Sequence, residues 1–251
     1  MNGPWTFPNE ATPPGSGPYY VARFAAPERR DEIAAWFAWF QLLDRAAQQS
    51  RDPGVTRLKL DWWHEEVNRI PDASARHPLA LALAPVVRAD WQAEQMHRLL
   101  DATEAQVRGG SPPDLEALKH QCREEQAGRL HLLANAVSDC AEQVAVYIGI
   151  VARLQRLPLD LRRYHLSLPV AQEIDAETLI ENARLGRFGT ELLEVAERTL
   201  PADIAQLATE PRALLAQHRR IARKLAAEHF PTRRLVSPTP IALLWSAWRR
   251  R

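Results

Sequence analysis

Apolar residues recur at three- and four-residue spacing along nearly the whole chain, and no stretch alternates long enough to build a sheet. Ile33, Trp36, Phe37, Phe40 and Leu43 set the pattern of a helix buried along one face. Asp52-Pro53 restarts the chain as a second helix, with Leu58, Trp62 and Val67 inward and Pro71 at its end. Helical patterning continues over 78–86 and 88–108, until Gly109-Gly110-Ser111-Pro112-Pro113 makes the clearest internal break. A long helix follows through Leu115, Leu118, Cys122 and Leu130 toward Ala136, then another over 141–156 that Pro158 ends or kinks. Beyond Leu168-Pro169 the spacing predicts helices over 175–186, 188–199 and 203–229. Pro231, Pro238 and Pro240 then lead to a last helix through Leu244, Trp245 and Trp248. Residues 1–18, rich in Pro and Gly, read as an arm. Residues 19–251 read as one all-α domain whose core includes Trp36, Phe37, Phe40 and Trp62.

With 251 residues, 46% of them hydrophobic, the chain has ample material for a core. Its 32 Lys and Arg against 31 Asp and Glu leave a net charge of +1, so it lacks the broad basic field of a nucleic-acid binder. Cys122 and Cys140 are too few for a disulfide scaffold or a four-cysteine zinc site. Neither a secretory signal nor an apolar run of spanning length is visible, and a soluble cytoplasmic protein is expected. Phosphate loops, a G-x-S-x-G elbow and H-E-x-x-H are absent, and His64-Glu65-Glu66 has no second His at helical spacing. Glu65 and Glu66 are therefore expected on a solvated helix face. Arg249-Arg250-Arg251 beside Trp245 and Trp248 reads either as peripheral contact with an anionic lipid surface or as a solubilising end.

Asp44 is more informative. It lies four residues after Phe40 and seven after Phe37, on the apolar stripe of its helix. An inward carboxylate must be paired, hydrogen-bonded, bound to metal or lining a cavity, and an Arg from another helix is the simplest partner.

The segment Phe37-Ala38-Trp39-Phe40-Gln41-Leu42-Leu43-Asp44-Arg45-Ala46-Ala47-Gln48 resembles the first aspartate-rich helix of the squalene/phytoene synthase family. Leu58-Lys59-Leu60-Asp61-Trp62-Trp63-His64-Glu65-Glu66 resembles the helix that follows it there, and Ser16-Gly17-Pro18-Tyr19-Tyr20 the family's opening. His77-Pro78, Gln126-Ala127-Gly128 and the run Leu154-Gln155-Arg156-Leu157-Pro158-Leu159-Asp160-Leu161-Arg162-Arg163 through Leu168-Pro169 are similar to later family segments, in order.

The resemblance implies an all-α isoprenoid-synthase bundle around a central cavity. Family enzymes join two prenyl diphosphates head to head, with two Asp-x-x-x-Asp helices holding Mg²⁺ on the diphosphates. Here the first motif reads Asp44-x-x-x-Gln48 and the second Arg156-x-x-x-Asp160, and Gln155 stands where the family has an Arg. A guanidinium about 5 Å from Mg²⁺ is repelled by roughly 6–7 kcal/mol at an effective dielectric near 20.

The reading is a non-catalytic member that binds a prenyl or lipid chain or acts like the respiratory-complex assembly factors of this family. Mg²⁺ enters only under the alternative, an active prenyltransferase in which Asp44, Asp160, Arg156, Arg162 and Arg163 rearrange around diphosphate. A helical interaction module with a filled core is the third possibility. The resemblance also places Tyr19 and Tyr20 at the cavity entrance. Asp44 and Asp160 are expected to approach across the cavity, with Arg156 neutralising at least one of them.

Overall fold

Short polar residues and prolines set the helix starts. Ser16 accepts a hydrogen bond from the Tyr19 backbone N–H at 3.1 Å and opens α1 (Gly17–Phe24), with Pro18 in its first turn. A 3₁₀ turn (Pro27–Arg29) leads into α2 (Arg30–Gln49), and Asp52 caps α3 (Pro53–Asn68). His77 caps α4 (Pro78–Leu83), followed by α5 (Asp90–Arg108). Asp114 caps α6 (Leu115–Ala134), which ends on Asn135 in the left-handed region at φ 53°. Then come α7 (Asp139–Arg162), α8 (Arg184–Arg198), a 3₁₀ turn (Ile204–Gln206), α9 (Thr209–Ala227) and α10 (Pro240–Trp248). The computed structural model describes residues 3–49, 52–162, 166–169 and 184–248, excluding the side chains of Gln48, Gln49, Pro53, Arg184 and Leu185. Most of the helix expected over 175–186 lies outside these residues. Among the described residues there is no strand, and no helix is long and apolar enough to cross a membrane.

One apolar cluster joins α1 to α5 and another joins α6 to α9. Helix α6 belongs to both, with Leu132 and Leu133 in the first and Leu118, Cys122 and Leu130 in the second. Gly149 lets α7 approach α6, since a Cβ there would stand 2.5 Å from that of Cys122. Arg29 ties both regions together, pairing with Glu210 of α9 and Glu32 of α2 and donating to the Leu133 carbonyl of α6.

Three expectations need correction. In α3 the buried set is Leu60, Trp63 and Val67, while Leu58 and Trp62 are 70% and 41% exposed. One residue turns a helix face by about 100°, and Trp63 takes the inward place by meeting Trp39 edge-on at 4.9 Å. Glu66 is fully buried rather than solvated. It accepts from the backbone N–H groups of Arg76 and His77 and from Arg69, each at 2.8 Å. Burial alone would raise its carboxyl; these donors outweigh it and hold the carboxyl below the usual range. Helix α7 runs through Pro158 to Arg162 instead of ending before it. Pro158 is buried there with Leu154, Leu157 and Leu161, a tertiary setting that supports the turn despite the missing N–H.

Candidate functional site

Helices α2, α6, α7 and α9 line a half-open chamber of about 520 Å³ between the two apolar clusters. Phe37 and Phe40 face it from α2, Leu130 and Leu133 from α6, and Ile148 from α7. Gly17 and Pro18 of α1 and Leu243 of α10 also line it, as do the polar Gln41, Gln155, Gln217 and His218. The volume and apolar lining fall in the range of small-molecule sites.

Asp44, Arg129 and Arg156 belong both to the chamber and to a polar constriction of about 50 Å³. The constriction in turn shares Glu125, Arg153 and Ser167 with a further cavity of about 330 Å³ beside α5. Three ion pairs converge here. Arg129 donates to Asp44 with both prongs, at 2.6 and 3.3 Å, and its guanidinium carbon lies 5.4 Å from the centre of the Phe40 ring. Arg153 donates to Glu125 at 2.5 Å, to the Ser167 carbonyl at 2.7 Å and to Gln121 at 3.1 Å. Asp160 accepts from the Ser167 hydroxyl at 2.7 Å and from Arg156, one turn earlier on α7, at 3.5 Å. Burial disfavours the Arg129 and Arg153 cations, but the facing charges of Asp44 and Glu125 prevail and raise both guanidiniums above their ordinary values. Three cations face three carboxylates, so the cluster neutralises itself.

A family model described as squalene/phytoene synthase matches residues 14–240. The chain belongs to the squalene/phytoene synthase family. Its fold is similar to that of the squalene synthase HpnC from Alicyclobacillus acidocaldarius, with a TM-score of 0.69 and 15% identity over 84% of this chain and 88% of that one. It is also similar to a dehydrosqualene synthase solved in complex with ligand, with a TM-score of 0.66 and 12% identity over 93% of this chain and 90% of that one. No curated protein matches.

Within this squalene/phytoene synthase family member, Asp44, Arg156 and Asp160 do meet in one constriction. Arg156 serves Asp160, whereas Asp44 takes its cation from Arg129 on α6. The side chain of Gln48 and all of Arg163 lie outside the described residues. Arg162 is exposed and donates to the Arg233 carbonyl at 3.0 Å, away from the constriction. Gln155 donates to the Val236 carbonyl at 2.7 Å and so anchors the segment before α10. Tyr19 and Tyr20 do not line the chamber, although Gly17 and Pro18 do. Their rings instead form an aromatic row from Phe7 to Phe24, with neighbouring centroids 5.1, 5.3 and 6.4 Å apart.

Sequence reasoning missed Glu125, Arg129, Arg153 and Ser167. A signal existed for Arg153: with Arg156 and Asp160 it forms a charged row at i, i+3 and i+7 on a mostly apolar stretch of α7. Glu125 is hidden in the polar run Arg123-Glu124-Glu125-Gln126, and Arg129 follows Ala127-Gly128 with nothing to single it out.

The family implies Mg²⁺, and the donor set does not fit it. Both oxygens of Asp44 are engaged by Arg129, both oxygens of Asp160 by Ser167 and Arg156, and Arg156 stands where the motif has a carboxylate. A hard dication needs several oxygen ligands of its own. Among the described residues no three His, Cys, Asp or Glu side chains are grouped to hold a metal ion.

Proposed function

We propose that this family member binds an isoprenoid or similar lipid chain in the apolar chamber and does not condense prenyl diphosphates. The carrying observation is that guanidinium and hydroxyl groups occupy both motif carboxylates. Phe37, Phe40, Leu130 and Ile148 take the chain by burying its methylenes, each worth about 0.8 kcal/mol. A polar head then lies against Arg129 and Arg156, at the chamber's polar end. The assembly-factor role implied by the resemblance falls under the same reading, since it uses the fold and a partner rather than turnover.

One observation favours a rearranged prenyltransferase instead. The buried Nε–H groups of Arg129 and Arg153 have no acceptor among the described residues, and an anion could take them. Incubation with farnesyl and geranylgeranyl diphosphates plus Mg²⁺, followed by product and pyrophosphate analysis, separates the two readings. Binding without pyrophosphate release is the expected result. A squalene- or phytoene-like product overturns the proposal.

A further inference from the structure

Helix α10 carries its large apolar residues on the outside. Ile241, Leu244, Trp245 and Trp248, spaced i, i+3, i+4 and i+7, are 77%, 37%, 42% and 50% exposed. Its buried side holds the small Ser246 and Ala247, packed toward α1 and α9. The Trp245 and Trp248 rings lie 5.2 Å apart and form an aromatic ridge. The sequence around this ridge is wholly basic: residues 231–251 contain Arg233, Arg234, Arg249, Arg250 and Arg251 and no Asp or Glu. Arg233, Arg234 and Leu235 are exposed just before the helix, with Arg234 paired to Glu228 at 2.8 Å and Arg233 left to face solvent.

We propose that this face docks on an anionic phospholipid bilayer, with α10 lying in the plane of the interface. Nine residues span only about 14 Å at 1.5 Å per residue, far short of the roughly 30 Å hydrocarbon core. Trp suits the headgroup boundary, where its ring is buried and its N–H remains wet, and Arg pairs with lipid phosphate. The same charges argue against a second copy as the occupant, because a twofold contact through this face sets like charges opposite one another. Leu243, on the inner side of α10, lines the chamber, so docking holds the chamber wall against the bilayer. The inference does not depend on what the chamber holds.

The test is co-sedimentation of the full chain with vesicles of phosphatidylcholine alone or mixed with phosphatidylglycerol. The wild type sediments with the mixed vesicles and not with the neutral ones. Ile241→Ser with Trp248→Ser weakens binding at least about tenfold, and replacing Arg249, Arg250 and Arg251 by Ser weakens it on the order of a hundredfold. Circular dichroism of both variants matches the wild type, Ile241 and Trp248 being exposed. The proposal is overturned if the wild type ignores anionic vesicles, or if binding survives both sets of substitutions. A wild-type dimer that Ile241→Ser with Trp248→Ser dissociates overturns it in favour of self-association.

Discussion

Phe37 and Phe40 line the chamber from the same helix that, one turn later, offers Asp44 to Arg129. The chamber needs only apolar groups of suitable size, a requirement many residue combinations meet. The constriction needs particular charges at particular atoms, and one changed partner reassigns the others. The motif position held by Arg156 illustrates this: a cation one turn from Asp160 turns a metal-ligand pair into an internal salt bridge. A bundle can therefore keep its ligand cavity while its ionic chemistry changes completely.

Substitutions can break or sharpen that contrast, and the largest effect is expected at the most buried pair. Glu125 and Arg153 are 14% and 8% exposed, whereas Asp44 is 45% exposed against 17% for Arg129. Glu125→Ala strands the Arg153 cation and should cost about 3–5 kcal/mol in urea unfolding. Asp44→Ala, with water reaching the pair, should cost about 1–2 kcal/mol. Equal costs would contradict the ranking. Glu125→Leu combined with Arg153→Met should recover most of the loss, because both charges leave together.

Glu66 provides an ionic comparison outside the cavity. Glu66→Ala orphans the partly buried N–H groups of Arg76 and His77 and the Arg69 guanidinium, and should cost about 2–3 kcal/mol. The His77 imidazole, lowered chiefly by burial, accepts from the Leu79 N–H, which requires its neutral form. Both groups titrate lower folded than unfolded, so their stability is fully present above the unfolded values. It declines as pH falls below about 6.5 for His77 and about 4.3 for Glu66. Stability in Glu66→Ala should consequently fall less steeply in acid; an unchanged slope would assign the acid response elsewhere.

On the apolar side, Gly149→Ala presses a methyl onto Cys122 and should cost about 1–3 kcal/mol. A neutral result would show that α6 and α7 separate easily. The sharpest chemical effect is expected for Gln48→Asp with Arg156→Asp, which also takes the cation from the buried Asp160 and so destabilises the fold. This pair restores the motif carboxylates and should introduce Mg²⁺-dependent diphosphate binding, measurable by calorimetry, without full turnover.

Much of this contrast was legible in the sequence, but unevenly. The α2 stripe was plain because Ile33, Trp36, Phe37, Phe40 and Leu43 offer only one apolar face. The α3 phase was not, because Leu58 and Leu60, like Trp62 and Trp63, present similar residues on two faces; contact with Trp39 decides between them. Glu66 reads as solvated because its partners are backbone N–H groups ten and eleven residues later, which carry no side-chain signature. Asp44, Arg156 and Asp160 emerged from motif comparison, whereas Arg129 enters only when α6 is brought against α2.

The central claim is that the cluster satisfies its own charges and leaves Mg²⁺ no role in binding. Calorimetric titration of the wild type with farnesol and with a non-hydrolysable farnesyl diphosphate analogue, each with and without Mg²⁺, tests it most directly. The account predicts measurable binding of farnesol and affinities for both ligands that Mg²⁺ changes by less than about twofold. Tightening of the analogue by about tenfold or more in Mg²⁺, with farnesol unaffected, would contradict it.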